Sequence, residues 1–345
     1  MQVLEQVPLA HYTTFGIGGP ALWFIEASTE DDVLQAVQFA RERDLPLFVL
    51  GGGSNLLVSD AGFPGAVLHI ALKGVEQQGS EGVTRFSIAA GEDWDAFVSL
   101  AVEQNCGGIE CLAGIPGSVG GTPVQNVGAY GQEVAETIRL VRAFDLQTLS
   151  CTELTDAECG FAYRRSIFNT SHRGRYIVTR VDYALRNDVD AVYSYADLKQ
   201  YFKDTDAAPT LAEVSAAVRE IRRLKGMLIV PGDPDCRSAG SFFKNPVISP
   251  EHFHRIVASM DGATVPHYPA TGGQVKVLAA WLLDQAGFHK GYMLGRAGIS
   301  SKHTLALINR DGASAGDIAA LRDEIVAKVV EKFAIRLEPE PVWVG

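Results

Sequence analysis

A chain of 345 residues with 47% hydrophobic content can bury more than one core, and its length points to two or three packed units. A net charge of -11 argues against broad binding to a phosphate backbone, because nucleic-acid readers present a basic face, so an anionic ligand would need local cations. Such cations occur at Arg164-Arg165, His172 to Arg175 and Arg219 to Lys225, although a charge run is more often a solvated face. The five cysteines, Cys106, Cys111, Cys151, Cys159 and Cys236, show no Cys-x-x-Cys spacing and read as free thiols of a reducing compartment. Residues 1 to 6 carry neither a basic leader nor an apolar h-region, and no uncharged stretch approaches the ~20 residues that span a bilayer. A soluble cytoplasmic protein without membrane or nucleic-acid partners is expected. His252 and His254 form the one close histidine pair, and without a third ligand nearby no metal site is expected.

In chain order, Ala21 to Ala27 reads as a strand, and Ser28 or Thr29 caps a helix whose Val33, Val37 and Ala40 keep helical spacing. Leu47 to Leu50 is a short buried strand that stops at a first glycine loop, Gly51-Gly52-Gly53-Ser54-Asn55-Leu56. This strand-then-loop order turns backbone N–H groups toward a phosphate. Asp93 to Asn105 is an amphipathic helix ended near Gly107-Gly108, followed by a second glycine loop, Gly114-Ile115-Pro116-Gly117-Ser118-Val119-Gly120-Gly121. That loop runs on through Thr122, Asn126, Gly128, Ala129 and Tyr130 to Gly131, long, uncharged and rich in donors.

Strand patterns cover Leu140 to Leu146 and Tyr176 to Leu185. Thr210 and Glu213 form a capping box opening a helix with Leu211, Val214, Val218, Ile221 and Leu224 on one face and Gly226 as its stop. Pro231-Gly232-Asp233-Pro234-Asp235 is turn-rich and polar, the best candidate for a domain boundary. Beyond it are expected a strand at Ser241 to Phe243, a helix from about Gln274 to Gln285, a strand at Thr304 to Ile308, a helix opened by Ser314, and an extended tail over Ile335 to Val344.

Neither glycine loop ends in Gly-Lys-Ser or Gly-Lys-Thr, which disfavours nucleotide triphosphate hydrolysis, and neither fits Gly-x-Gly-x-x-Gly opening a helix, which weakens a Rossmann site. Two cradles of backbone donors suit a long ligand with a pyrophosphate in its middle; a pair of tight structural turns is the plainer alternative. Gly240-Ser241-Phe242-Phe243-Lys244-Asn245-Pro246 sets a hydroxyl, an ammonium and an amide beside two aromatics, suited to a charged substrate on a flat apolar surface, or else an ordinary strand edge.

Tyr12 to Gly19, Gly51 to Leu57, Gly114 to Gly121, Asn126 to Gly131, Tyr163-Arg164-Arg165-Ser166-Ile167-Phe168, Ala239 to Pro246 and Leu337-Glu338-Pro339-Glu340 occur in the order found in the UDP-N-acetylenolpyruvoylglucosamine reductases, and the chain resembles that family over nearly its whole length. The resemblance implies an α+β protein. Its flavin-binding domain, of the type shared with p-cresol methylhydroxylase and vanillyl-alcohol oxidase, would span 1–227, with subdomains of about 1–70 and 71–227. A smaller α+β substrate domain would span 228–334, and a C-terminal strand over 335–345 would return to the flavin domain. It implies FAD held non-covalently by the two glycine loops, at Gly51, Gly52, Gly53, Ser54, Asn55, Leu56, Gly114, Ile115, Pro116, Gly117, Ser118, Gly121, Thr122, Asn126, Gly128, Ala129 and Tyr130.

The family reaction reduces an enolpyruvyl ether to a lactyl ether for peptidoglycan, with NADPH as hydride donor. By motif position Ser241 would donate the proton, while Arg164 and Glu340 polarise the substrate carboxylate and the developing enol. Tyr195, Lys225 and Asn245 would contact the UDP moiety, with Tyr195 on the mobile tyrosine segment Tyr193 to Leu198 of the type I subtype. A monomer is expected. Two alternatives stay open: another oxidoreductase of the same flavin fold, which the absence of His and Cys from both cradle loops weakens as a covalent flavoenzyme, and a nucleotide-sugar binding module without chemistry.

Overall fold

The computed structural model describes residues 1–260 and 263–345, and the chain forms two compact units. The first comprises Met1–Val7, Pro20–Gly53 and Phe63–Leu224; the second comprises Pro8–Gly19, Ser54–Gly62 and Lys225–Gly345.

In the first unit a four-stranded sheet takes the order Gln2–Pro8, Pro20–Ala27, Phe63–Ile70, Leu47–Leu50, with Phe63–Ile70 parallel to the strands on both sides of it. The helix Glu30–Glu42 starts at Thr29, whose hydroxyl accepts from the Asp32 amide while Asp32 accepts from the Thr29 amide, a reciprocal cap of about 1 kcal/mol. It buries Val33, Ala36, Val37 and Ala40, the stripe its periodicity predicts. An antiparallel sheet follows, ordered Ser150–Thr155, Ile138–Asp145, Tyr176–Asn187, Val83–Ala89, Val75–Ser80, with Cys106–Gly107 paired to the end of Tyr176–Asn187. The helix Trp94–Glu103 opens on Asp93, whose carboxylate accepts the Ala96 amide, and lays Trp94 and Phe97 on Phe86 and Tyr183. The Thr210–Glu213 capping box opens Leu211–Leu224 as expected, and Leu211, Val214, Val218 and Ile221 are buried. Leu224 is 59% exposed instead, at the last position of the helix.

The second unit has its own core, built on the helix Ala315–Phe333. Ser314 and Asp317 cap it reciprocally, and Ile318, Leu321, Ile325 and Val329 are fully buried, each contributing about 1.5–3 kcal/mol of transfer free energy. Around it lie a three-stranded sheet of Val247–Ile248, Val275–Val277 and His267–Pro269, a meander of Met293–Leu294, Ala297–Ile299 and Leu307–Asn309, and a parallel pair, Val342–Val344 with Leu56–Val58.

Four sequence expectations change. The helix over 274–285 is a strand, Val275–Val277, followed by the helix Ala279–Gln285: two β-branched residues alternate into the sheet, and Asn245 Oδ1 accepts the Ala279 amide where the helix begins. Ser241 to Phe243 forms no strand beyond an isolated bridge from Phe243 to Pro339, since Pro339 and Pro341 have no N–H to extend a ladder. The strand over 304–308 lies at Leu307–Asn309. The turn-rich stretch 231–235 lies inside the second compact unit, which resumes at Lys225, and Asp235 is buried there. The compact units also cut the chain differently from the divisions 1–227, 228–334 and 335–345, because the tail strand pairs with Leu56–Val58 inside the second unit.

Candidate active site

The strand Leu47–Leu50 delivers the first glycine loop, and in the first unit Gly52 meets the second loop backbone to backbone while Gly51 faces the Ser118 side chain. A Cβ on Gly52 would stand 2.5 Å from Gly117 Cα, and one on Gly51 would stand 2.8 Å from Ser118 Oγ. Positive φ at Gly53 (61°), Gly114 (70°) and Gly117 (132°) bends both loops through conformations that side chains disfavour. The amides of Gly52, Gly53, Ile115, Gly117 and Ser118 donate to no acceptor among the described residues. Donors left over where two backbones close together fit an anion such as a pyrophosphate, so these residues suit FAD.

The second loop is pinned from beneath. Asp95 accepts the Gly114 amide at 2.5 Å and pairs with Arg219, whose other nitrogen reaches Ser99 Oγ at 2.8 Å. Arg222 donates Nε to the Gly114 carbonyl at 3.0 Å. Burial pulls the Arg222 guanidinium below the ordinary arginine range, against the opposing pull of Tyr130 and Asp95. Sequence reading placed Arg222 only within a basic run; its spacing of four from Val218, on the buried face of Leu211–Leu224, is the signal that could have singled it out.

Beyond the loop, Thr122 spends its hydroxyl on Val119 O (2.8 Å) and Tyr183 OH (2.7 Å). Asn126, at φ 45°, donates to Glu133 (2.7 Å) and Ala162 O (3.1 Å) and accepts from Ala135 N (3.1 Å), so its side chain shapes the loop. Gly128 offers its carbonyl to Arg164 Nη2 at 2.7 Å. Tyr130 is buried, its phenol pushed up to about 12 by desolvation, and its ring meets Tyr195 edge-on with centroids 5.5 Å apart. A predicted cofactor residue and a predicted substrate residue are thus brought together. Pro116 is half-buried and Gly121 exposed on the same loop, and Ala129 lies half-buried beside Gly128. Tyr195 itself is 46% exposed, at the start of Ala196–Tyr201, whose Leu198 is fully buried.

Arg164 sits at φ 56°, a left-handed conformation that costs a residue with a Cβ about 1–2 kcal/mol. It is held by Asn169 Nδ2, which donates to the Arg164 carbonyl at 3.1 Å while Asn169 Oδ1 accepts the Ser166 amide. Its neighbour Arg165 is exposed.

In the second unit, the Phe243–Pro339 bridge is flanked by Glu340 N to Phe242 O (2.8 Å) and Lys244 N to Glu338 O (3.0 Å). Glu340 therefore stands opposite Phe242, next to Ser241. Gly240, at φ 72°, turns the chain into Ser241, and the Phe242 amide donates to Leu305 O at 2.8 Å. Phe242 and Phe243 are buried against Phe15 and each other, while Ser241 is half-buried and its hydroxyl makes no hydrogen bond to the described residues. Asn55 donates Nδ2 to the Glu340 carbonyl at 3.2 Å and accepts the Val342 amide at 2.9 Å, so this first-loop residue holds the tail. Ser54 and Leu56 flank it, Ser54 accepting from Thr14 through its carbonyl and Leu56 opening Leu56–Val58. Asn245 spends Oδ1 on Ala279. Lys225 is half-buried, just after the helix that ends at Leu224.

Two family models match the chain: FAD binding domain over residues 21–148, and UDP-N-acetylenolpyruvoylglucosamine reductase, C-terminal domain, over 233–344. The UDP-N-acetylenolpyruvoylglucosamine reductase of Thermobifida fusca is 46% identical over 350 residues, covering 99% of this chain and 98% of that protein. That of Streptomyces coelicolor is also 46% identical, over 354 residues, covering 100% and 91%. The crystal structure of the Thermus caldophilus UDP-N-acetylenolpyruvylglucosamine reductase superposes with a TM-score of 0.69 at 28% identity, covering both chains fully.

Proposed function

The chain belongs to the UDP-N-acetylenolpyruvoylglucosamine reductase family, an FAD oxidoreductase family of peptidoglycan synthesis, and from that premise we propose how its own residues divide the work. The FAD, when bound, supplies the hydride, drawn from NADPH, that reduces the enolpyruvyl double bond of the UDP-sugar. The donor loops of the first unit, at Gly51 to Gly53 and Gly114 to Ser118, hold the cofactor without a covalent tether.

What remains for the chain is a negative charge and a proton. Hydride delivery to the terminal alkene carbon leaves charge on the adjacent carbon, delocalised into the substrate carboxylate. Arg164 and Glu340 polarise that carboxylate and its enol form, and an arginine can do so through two parallel hydrogen bonds. Ser241 then gives its proton to the carbon and recovers one from water. A serine is a weak acid, but a carbanion is a far stronger base than serine's alkoxide, and a positioned hydroxyl within ~3 Å suffices. The observation that carries this reading is the Ser241 hydroxyl, which makes no hydrogen bond to the described residues and is tied through Phe242 to the backbone of Glu340. Tyr195, Lys225 and Asn245 recognise the UDP moiety, and the enzyme acts as a monomer among the soluble nucleotide metabolites of the cytoplasm.

The test is anaerobic. NADPH should bleach the bound flavin, and the enolpyruvyl UDP-sugar should restore its colour. Ser241→Ala should keep the first step and slow the second by orders of magnitude; a variant that reoxidises at the normal rate removes the serine from the mechanism.

A further inference from the structure

The segment that feeds Ser241 hangs from one buried carboxylate. Asp235 is 3% exposed, far from the linker position its sequence suggests. Its Oδ1 accepts the Ser301 amide at 3.0 Å and Arg310 Nη2 at 3.0 Å, and its Oδ2 accepts Ser301 Oγ at 2.6 Å. Asp233 extends the grip, accepting the Asp235 amide at 2.9 Å and pairing with Lys302 Nζ at 2.5 Å. Further along, Arg237 O takes the Asn309 amide (3.0 Å), Ser238 O takes Thr14 Oγ1 (2.6 Å), and Ser238 Oγ takes the Gly240 amide (3.2 Å). The run from 233 to 242 is thus laced onto 301–310 and Thr14, while the Ser241 hydroxyl makes no hydrogen bond to the described residues. The Asp235 side chain also lies close to Gly226, where an added Cβ would stand 3.2 Å from Asp235 Cβ.

Arg310 shows how much is committed to this contact. Its Nε is buried with no hydrogen-bond partner among the described residues, a cost accepted while Nη2 reaches Asp235. Removing one partner of this pair would leave the buried Asp235 carboxylate with fewer donors.

We propose that Asp235, clamped by Ser301 and Arg310, is a positioning residue for the proton-transfer step: it sets the Ser241 hydroxyl on its target. The inference rests on Ser241 being the proton donor. A displacement of about 1 Å at a reacting group can cost roughly 10²-fold in rate, and loosening the clamp shifts the chain on which the hydroxyl rides.

The experiment uses the FAD-loaded enzyme with Asp235→Asn and Ser301→Ala, each alone and each combined with Ser241→Ala. Three quantities are read: the visible spectrum of the flavin, the rate of its reduction by NADPH, and the rate of its reoxidation by the enolpyruvyl substrate. Spectrum and reduction should match the unaltered enzyme. Reoxidation should fall by roughly 10- to 100-fold in each single variant and fall no further when either change is added to Ser241→Ala, since the group being positioned is already gone. Normal reoxidation in both single variants overturns the proposal. So does an equal fold loss in the Ser241→Ala background, which would mark Asp235 as a fold residue alone. If Asp235→Asn yields no folded protein, Ser301→Ala decides, because it removes one hydrogen bond and leaves the carboxylate. A Ser241→Ala enzyme that reoxidises normally defeats the proton-donor reading instead and is recognised without the clamp variants.

Discussion

Gly52 has no side chain because another backbone occupies the space where one would go. Added as alanine, its Cβ would fall 2.5 Å from Gly117 Cα and 2.7 Å from Ser118 N, and neither is a flexible side-chain end that can swing aside. The two loops must part, and overpacking of this kind costs about 1–3 kcal/mol. Because the displaced atoms carry the unspent amides, Gly52→Ala should weaken FAD by roughly 10- to 100-fold, read by titrating apoprotein and following flavin fluorescence. Unchanged affinity would show that the loops close on each other for structural reasons alone. The glycines, Ser241, Arg164 and Glu340 were all legible as motif positions, since each motif is a short local string. The roles of Arg222 and Asp235 were not, because burial of a charge depends on partners more than a hundred residues away for Arg222 and on a separate loop for Asp235.

Among the elements, Glu30–Glu42 and its neighbouring sheet are joined by Glu30 itself. Its carboxylate accepts Arg142 Nε at 2.8 Å, Arg142 Nη2 at 2.9 Å and Thr179 Oγ1 at 2.7 Å. The Arg142 hydrogen bonds are the main cause that brings its pKa down to about 2, against a desolvation that would raise it. The depressed carboxylate contributes stability that is fully present above the unfolded value of about 4.3 and is lost as pH falls through about 2. Glu30→Gln, which cannot titrate, should melt below the unaltered protein at pH 6, and the gap should close steadily between pH 5 and pH 2 in thermal unfolding followed by circular dichroism. A gap constant across that range would mean that the tie is not ionic. Helix starts were the most legible elements, since Thr29, Thr210 and Ser314 announce themselves by capping chemistry confined to four residues. Val275–Val277 was absorbed into the helix that follows because a three-residue strand is fixed by its neighbours across the sheet, which the local sequence does not contain.

For the whole molecule, each unit carries its own apolar core, and Gly52, Gly53, Ile115, Gly117 and Ser118, whose amides are uncommitted among the described residues, belong to the first. A ligand that binds the folded state alone stabilises it by about 2.7 kcal/mol at a free concentration a hundred times its dissociation constant. FAD added to apoprotein at that ratio should raise the melting of the first unit by roughly 5–10 °C in scanning calorimetry, and NADPH alone should not reproduce the shift. An FAD-insensitive transition would contradict a cofactor site in these loops. The order of motifs from residue 12 to residue 340 revealed the family, but the division into units stayed hidden, since Pro8–Gly19 and Ser54–Gly62 leave the segments around them to join a body whose remaining residues lie far downstream.

That joining has a consequence for the newborn chain. The strand Leu56–Val58 leaves the ribosome long before its parallel partner Val342–Val344, which lies far downstream. At about 5–20 residues per second, the early strand waits tens of seconds for its mate. Until then its unpaired edge is open to wrong pairings. Glu340 lies just ahead of Val342–Val344, so its carboxylate and the partner strand arrive together.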